Sequence, residues 1–162
     1  MFECFTRSAR TAVTAAISEA ERRNDSHIGT EHLLLGVAAV SSAPIRRVVD
    51  LSVAELRAGL DSLDESALSS VGIGIDAVEG IAPDLGIAGR RHRPFTGGGK
   101  QILQDALRLA VDAGHRRIGP EHLLLAISQR PANDVSHRLL NHASISPESL
   151  GFDLERTMRR SA

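Results

Sequence analysis

The chain has 162 residues, room for one domain or two very small ones with a modest core. Nineteen basic and twenty acidic side chains leave a formal net charge of −1, which gives no long-range pull toward nucleic acid or anionic lipid. Apolar residues make up 42% but aromatic ones only 2%, and the single cysteine, Cys4, excludes an internal disulfide.

The core therefore has to come from Leu, Ile, Val and Ala, as in a small helical bundle. A lone cysteine fits a reducing compartment. No apolar run nears the roughly 20 residues of a membrane span, and Met1–Phe5 lacks the basic and apolar regions of a signal peptide. A soluble, cytoplasmic protein is expected.

From Thr6 to about Arg23 the apolar positions Phe5, Ala9, Ala12/Val13, Ala16/Ile17 and Ala20 recur at three- and four-residue spacing. That predicts a helix with one buried face, capped by Thr6 and stopped by Asn24-Asp25. A leucine-dense second helix follows over Thr30–Val40. Pro44 opens a short third helix with Ile45, Val48 and Val49. Ser52-Val53-Ala54-Glu55 reads as a capping box for a fourth, with Val53, Leu56, Leu60 and Leu63 inward.

Residues 64–94 break the pattern. Gly72-Ile73-Gly74-Ile75 interrupts it, Asp76-Ala77-Val78-Glu79 reads as a capped start of a short helix, and Arg90-Arg91-His92-Arg93 is a basic cluster before Pro94. Without more basic residues on one face or aromatic partners, the cluster reads as a solvated linker end rather than a nucleic-acid contact.

The plan then repeats. Thr96 opens a helix containing Ile102, Leu103, Ala106, Leu107 and Ala110, ended by Gly114. Gly119-Pro120 opens the next, with proline at a first-turn position. Leu139 and Leu140 mark a third helix, and Ser146-Pro147-Glu148 starts a last one running to about Met158. No segment reads as a strand.

The repetition is literal. Ile28-Gly29-Thr30-Glu31-His32-Leu33-Leu34-Leu35 returns as Ile118-Gly119-Pro120-Glu121-His122-Leu123-Leu124-Leu125, shifted by 90 positions. The same gapless shift places Phe5-Thr6 on Phe95-Thr96, Ala16 on Ala106 and Ala20 on Ala110. This is a tandem duplication, and it predicts two similar units related by a pseudo-twofold axis. The expected organisation is repeat 1 over 1–63, a linker with a short helix over 64–94, and repeat 2 over 95–162, together one compact all-α domain with four helices in each repeat. Two equivalent surface sites and a groove between halves suit binding better than single-site chemistry.

The doubled Phe-Thr and Ile-Gly-Thr/Pro-Glu-His-Leu-Leu-Leu signatures resemble the N-terminal domain of Clp unfoldases, the ClpC type in particular. So do the opening Met1-Phe2-Glu3-Cys4-Phe5-Thr6-Arg7-Ser8-Ala9-Arg10 and the segment Pro94-Phe95-Thr96-Gly97-Gly98-Gly99-Lys100. The resemblance covers nearly the whole chain and is weakest across the linker. In that family the domain precedes two ATPase modules, and none follows here. Gly97-Gly98-Gly99-Lys100-Gln101 fails the P-loop pattern at both ends, with Pro94 where glycine is needed and Gln101 where Ser or Thr is needed. If the chain is complete it is a free-standing Clp N-domain; if it is a piece, it is the substrate-receiving module of an unfoldase.

Glu31 and Glu121 each fall in a first helical turn, where unpaired N–H groups and the helix dipole favour anions. They could simply complement the dipole. The resemblance implies more, because ClpC-type N-domains bind phosphorylated arginine at two such sites. That ligand needs a carboxylate for its guanidinium and N–H or hydroxyl donors for its phosphate. The resemblance assigns Glu31 with Thr6, Thr30 and the backbone of Ile28 and Gly29 to one site. It assigns Glu121 with Thr96 and the backbone of Ile118 and Gly119 to the other. Pro120 removes a hydroxyl and an N–H that Thr30 provides, which weakens the second.

A second surface implied by the resemblance is a groove between the two first helices, with Phe2, Arg10, Phe95 and Lys100. In mycobacterial relatives these positions form a pocket for cyclic-peptide antibiotics, and in the family the surface meets adaptor proteins. Ile17 and Gln104 depart from the polar or acidic residues expected beside it. Gly97-Gly98-Gly99 is expected to leave the start of its helix frayed, since each glycine costs about 1 kcal/mol against alanine in a helix interior.

The seven histidines include no H-x-x-x-H or H-E-x-x-H pair, so His32 and His122 read as satisfied core histidines and no metal or other cofactor is expected. Cys4, with no local base, reads as a packing residue. No nucleophile–base pair is visible, so no catalytic residue is expected. The reading is a monomeric, non-catalytic substrate- or adaptor-binding module of a Clp protease system. Its expected partners are arginine-phosphorylated proteins, Clp adaptors, a Clp unfoldase–protease complex or cyclic peptides, and neither nucleic acid nor membrane. The alternative is a decoy or regulator that sequesters adaptors or cyclic-peptide antibiotics from the ClpC unfoldase.

Overall fold

The computed structural model describes residues 4–40, 42–70 and 93–159. Phe2, the linker segments 72–75 and 76–79, and the cluster residues 90–92 lie outside the described residues. The first half contributes α1 (Arg7–Arg22), α2 (Thr30–Val40), α3 (Ala43–Arg46) and α4 (Val53–Ser70). The second contributes α5 (Gly97–Asp112), α6 (Pro120–Ser128), α7 (Val135–His142) and α8 (Pro147–Arg159). The domain is all-α, two four-helix repeats, and the described residues outside the helices form only two isolated parallel bridges.

Local chemistry sets the ends of these helices. The Thr6 hydroxyl accepts from the Ala9 N–H at 3.1 Å, and Thr96 accepts from the Gly99 N–H at 3.0 Å. Both first helices then close through a left-handed residue at equivalent positions, Asn24 (φ 58°) and Gly114 (φ 71°). The next N–H reaches back to Ala20 O at 2.9 Å in one repeat and to Ala110 O at 2.8 Å in the other. The three glycines after Thr96 form the capped first turn of α5, not a frayed end. Helix α3 is a single turn, so Val48 and Val49 fall beyond it. Helix α4 continues to Ser70, into the stretch read as linker; its last turn stays helical because Ala67, Leu68 and the serines impose no break.

Helices α2 and α6 pack on each other at the centre, with Leu33–Leu35 and Leu123–Leu125 essentially inaccessible. Around them the contacts are reciprocal across the repeats: α2 touches α5 and α7 as α6 touches α1 and α3, and α4 packs on α7 as α8 packs on α3. The chain starts are exchanged too. Thr6 N–H donates to Ile118 O and Ile118 N–H to Cys4 O, while Thr96 N–H donates to Ile28 O and Ile28 N–H to Pro94 O, all at 2.8–3.0 Å.

The two repeats differ in how tightly they close. Gly36 on α2 lets α1 approach so near that an added Cβ would lie 2.1 Å from the Ala12 carbonyl oxygen. The equivalent residue on α6 is Ala126, facing a helix that carries Ile102 where α1 has Ala12. Repeat 1 also has a polar clamp. Arg57 on α4 grips the Glu19 carboxylate through Nη2 and through Nε at 3.1 Å, and Arg23 reaches Asp61 and Asp64 at 2.5 Å each. Hydrogen bonds from Arg57, partly offset by burial, hold Glu19 below the usual carboxylate range.

Candidate functional site

Each central helix starts with the same device. Glycine precedes the helix, and two residues later a glutamate folds its carboxylate back over the glycine, within 2.0 Å of where a Cβ would stand on Gly29 or Gly119. A methyl there would push the carboxylate out of this position. The following histidine turns its ring inward: Gly29 N–H donates to His32 Nδ1 at 3.0 Å, and Gly119 N–H donates to His122 Nδ1 at 2.9 Å. With Nδ1 accepting, the ring proton sits on Nε2 and needs an acceptor. His32 Nε2 finds Asp25 Oδ2 at 3.0 Å, whereas His122 Nε2 finds His115 Nδ1 at 2.8 Å.

These bonds correct part of the expected donor set. The N–H groups of Gly29 and Gly119 are held by histidine rings, and those of Ile28 and Ile118 by carbonyls of the opposite chain start, so none points to a ligand phosphate. The threonines are exchanged as well. Thr96, not Thr6, lines the cavities beside Glu31, because the start of α5 is bridged to Ile28. Thr6 is bridged to Ile118 and so lies on the Glu121 side. The cross-repeat pairing is the physical reason.

The Glu31 site opens into two cavities that share Glu31, Thr96 and Val135. One, of about 290 Å³, runs toward Arg23, Asp25 and Asp64. The other, of about 500 Å³, runs toward Arg130 and Asp134. Glu31 keeps 19% of its side chain exposed at this mouth. Burial pushes its carboxyl upward, but the adjoining His32 ring and its own N–H outweigh that, so it lies below its ordinary value and is ionised at neutral pH. The Arg23 guanidinium beside the first cavity is committed to Asp61 and Asp64.

Two residues of this site escaped sequence reasoning. Asp134 caps α7 by accepting from the Ser136 N–H at 3.0 Å, and it also accepts from the Thr30 hydroxyl at 2.6 Å and from Arg130 Nε at 3.0 Å. Burial raises its carboxyl, yet the bonds from Thr30, Ser136 and Arg130 bring it below the usual value. The only sequence signal is a break in the repeat: Arg130 and Asp134 stand where repeat 1 has Val40 and Pro44.

The Glu121 site is different. Glu121 sits 3.6 Å from His122 Nδ1, against 3.1 Å for Glu31 and His32. Pro120 supplies neither a hydroxyl nor an N–H. Burial first, and then the neighbouring His115, depress the His122 ring to about 4. A cation between His115 Nδ1 and His122 Nε2 would strip the second nitrogen's proton while Nδ1 still accepts from Gly119, leaving an imidazolate. The pair is therefore a hydrogen bond and not a half-built metal site. Of the groove residues, Arg10 and Lys100 are exposed on α1 and α5, while Phe95 is half-buried against the core.

Fold and site together define a duplicated, all-helical repeat domain whose two glutamate-bearing helix starts are set by the opposite repeat. Residues 94–162 match the Clp repeat (R) N-terminal domain. Over 153 residues the chain is 29% identical to the chaperone protein ClpC1, chloroplastic, of Arabidopsis thaliana, and over 151 residues it is 30% identical to ClpC2 of the same plant. Each alignment covers 93% of this chain but 14% of the relative, so the chain spans about one seventh of their length. The crystal structure of the N-terminal domain of ClpD from Arabidopsis thaliana superposes with a TM-score of 0.71 at 20% identity, covering 96% of this chain and 98% of that one. The second half of the chain thus carries a Clp repeat, and the chain as a whole is similar to the N-terminal regions of the ClpC and ClpA chaperones.

Proposed function

We propose that this domain is a non-catalytic, cytoplasmic binding module that receives substrate or adaptor proteins for a Clp machine, and that its Glu31 site recognises phosphorylated arginine. The observation that carries this reading is one cavity holding an ionised, partly exposed carboxylate, Glu31, together with a hydroxyl, Thr30, and a guanidinium, Arg130. A carboxylate pairs in two-point fashion with a guanidinium, and a hydroxyl and an arginine are suited to a phosphoryl group. On the Glu121 side Pro120 and Val40 stand at the positions of Thr30 and Arg130, so one site is assigned to the ligand. The exposed Arg10 and Lys100 remain available to an adaptor.

Calorimetric titration with free phosphoarginine, with arginine as control, tests the reading. Saturable binding near one ligand per chain is expected. Binding of neither, or two equal sites, would overturn the assignment.

A further inference from the structure

We infer that Asp134 is the specificity-determining residue of the Glu31 site: an internal anion that occupies the donors a phosphoryl group would need. The inference rests on the phosphoarginine reading of that site. Thr30 belongs to one repeat and Arg130 to the other, and they meet only through this carboxylate, Thr30 Oγ1 at Oδ1 (2.6 Å) and Arg130 Nε at Oδ2 (3.0 Å). Ser136 adds its N–H at 3.0 Å and its hydroxyl at 2.8 Å. Oδ1 thus accepts three hydrogen bonds and Oδ2 one, much as a bound oxyanion would.

The packing is built around this cluster. Gly98, in the first turn of α5, faces it, and a Cβ there would lie 2.9 Å from Thr30 Cγ2, 3.4 Å from Arg130 Nη2 and 3.6 Å from Asp134 Oδ2. Glycine is what lets α5 begin so close. The arrangement is confined to one site, because the other repeat has Val40, Pro44 and Ser8 in place of Arg130, Asp134 and Gly98.

The consequence is a filter on charge. A cationic guanidinium meets the Glu31 carboxylate, with the Asp134–Arg130 pair beside it. A phosphoryl group meets its donors already bonded to a fixed negative charge, so it must compete with Asp134 for Thr30 and Arg130. The native protein therefore binds phosphoarginine less tightly than these donors would allow if free, and removing the Asp134 charge shifts the preference further toward the phosphorylated form.

The test is Asp134→Asn, whose carbonyl still caps α7 and accepts from Thr30 but whose amide cannot accept from Arg130. Asp134→Ser, a second capping residue without charge, covers failure of the first to fold. Calorimetry on each with phosphoarginine and with arginine is expected to show phosphoarginine tightening by about tenfold while arginine weakens. Unchanged or weaker phosphoarginine binding in the variants, with the native protein binding it, would overturn the role of Asp134 and leave the Glu31 assignment standing. Absence of phosphoarginine binding by native and both variants would overturn both.

Discussion

The starts of α2 and α6 share a glycine, a folded-back glutamate and an inward histidine, yet they present different surfaces. At Glu31 the opposite repeat brings Thr96, Arg130 and Asp134 into the site; at Glu121 the same geometry is closed by Pro120 and backed by a histidine pair. The helix start is therefore a structural device common to both repeats. What a ligand would meet is decided by the residues that the opposite repeat brings against it.

The comparison breaks most severely through packing. Gly36→Ala drives a methyl into the Ala12 carbonyl of α1 and is expected to cost about 3 kcal/mol, the upper end for overpacking. Ala126→Gly at the matching position should cost only about 0.5–1 kcal/mol from backbone entropy. Urea unfolding of both variants checks this, and equal losses would mean that the two helix pairs are packed alike.

Ligand binding separates the repeats next. Glu31→Ala should weaken phosphoarginine by roughly 1.5–3 kcal/mol, as for a charge-assisted contact, while Glu121→Ala leaves the titration unchanged. A larger loss from Glu121→Ala would reverse the assignment.

Acid sharpens the contrast further. The unfolded His122 ring takes up a proton below its ordinary value of 6.5, but the folded ring does so only near 4. Protonation thus favours unfolding, so this contribution is complete above 6.5 and declines as pH falls from 6.5 toward 4. His115→Asp recreates the Asp25–His32 pairing in the second repeat, giving His122 a carboxylate in place of a competing ring. Its melting temperature should fall less between pH 7 and pH 5 than that of the native protein; an equal fall would show that the pair has no part in acid sensitivity.

The smallest effect tests where the repeats agree. Thr6→Ala and Thr96→Ala each remove one helix cap of like geometry and should each cost about 1 kcal/mol in thermal or urea unfolding. A marked inequality would show that one threonine holds its site together beyond capping.

The helices were legible because their signals are local. Apolar spacing, the Thr6 and Thr96 caps and the position of Pro120 are properties of neighbouring residues, and α2 ends where its leucine-rich run ends. Glu31 and Glu121 were legible through the repeat. The ownership of Thr6 and Thr96 was not, since the pairings of Phe5 with Ile118 and of Ile28 with Phe95 span 113 and 67 residues and leave no mark on local pattern. Asp134 was invisible for a related reason: in sequence it is an ordinary cap of a short helix, and only the packing of α7 on α2 brings it to Thr30.

The bridges Phe5 to Ile118 and Ile28 to Phe95 are one contact made twice, residue i to j and then j to i. That is the signature of an isologous interface, the kind that joins identical subunits about a twofold axis. In such a dimer any substitution arises in both subunits at once, and an acid placed in one site is placed in both. Covalent duplication lifts that constraint. Here the interface kept its symmetry while Asp134 and Pro120 made the two sites unlike, giving a single chain the frame of a dimer and the freedom to hold two different answers in it.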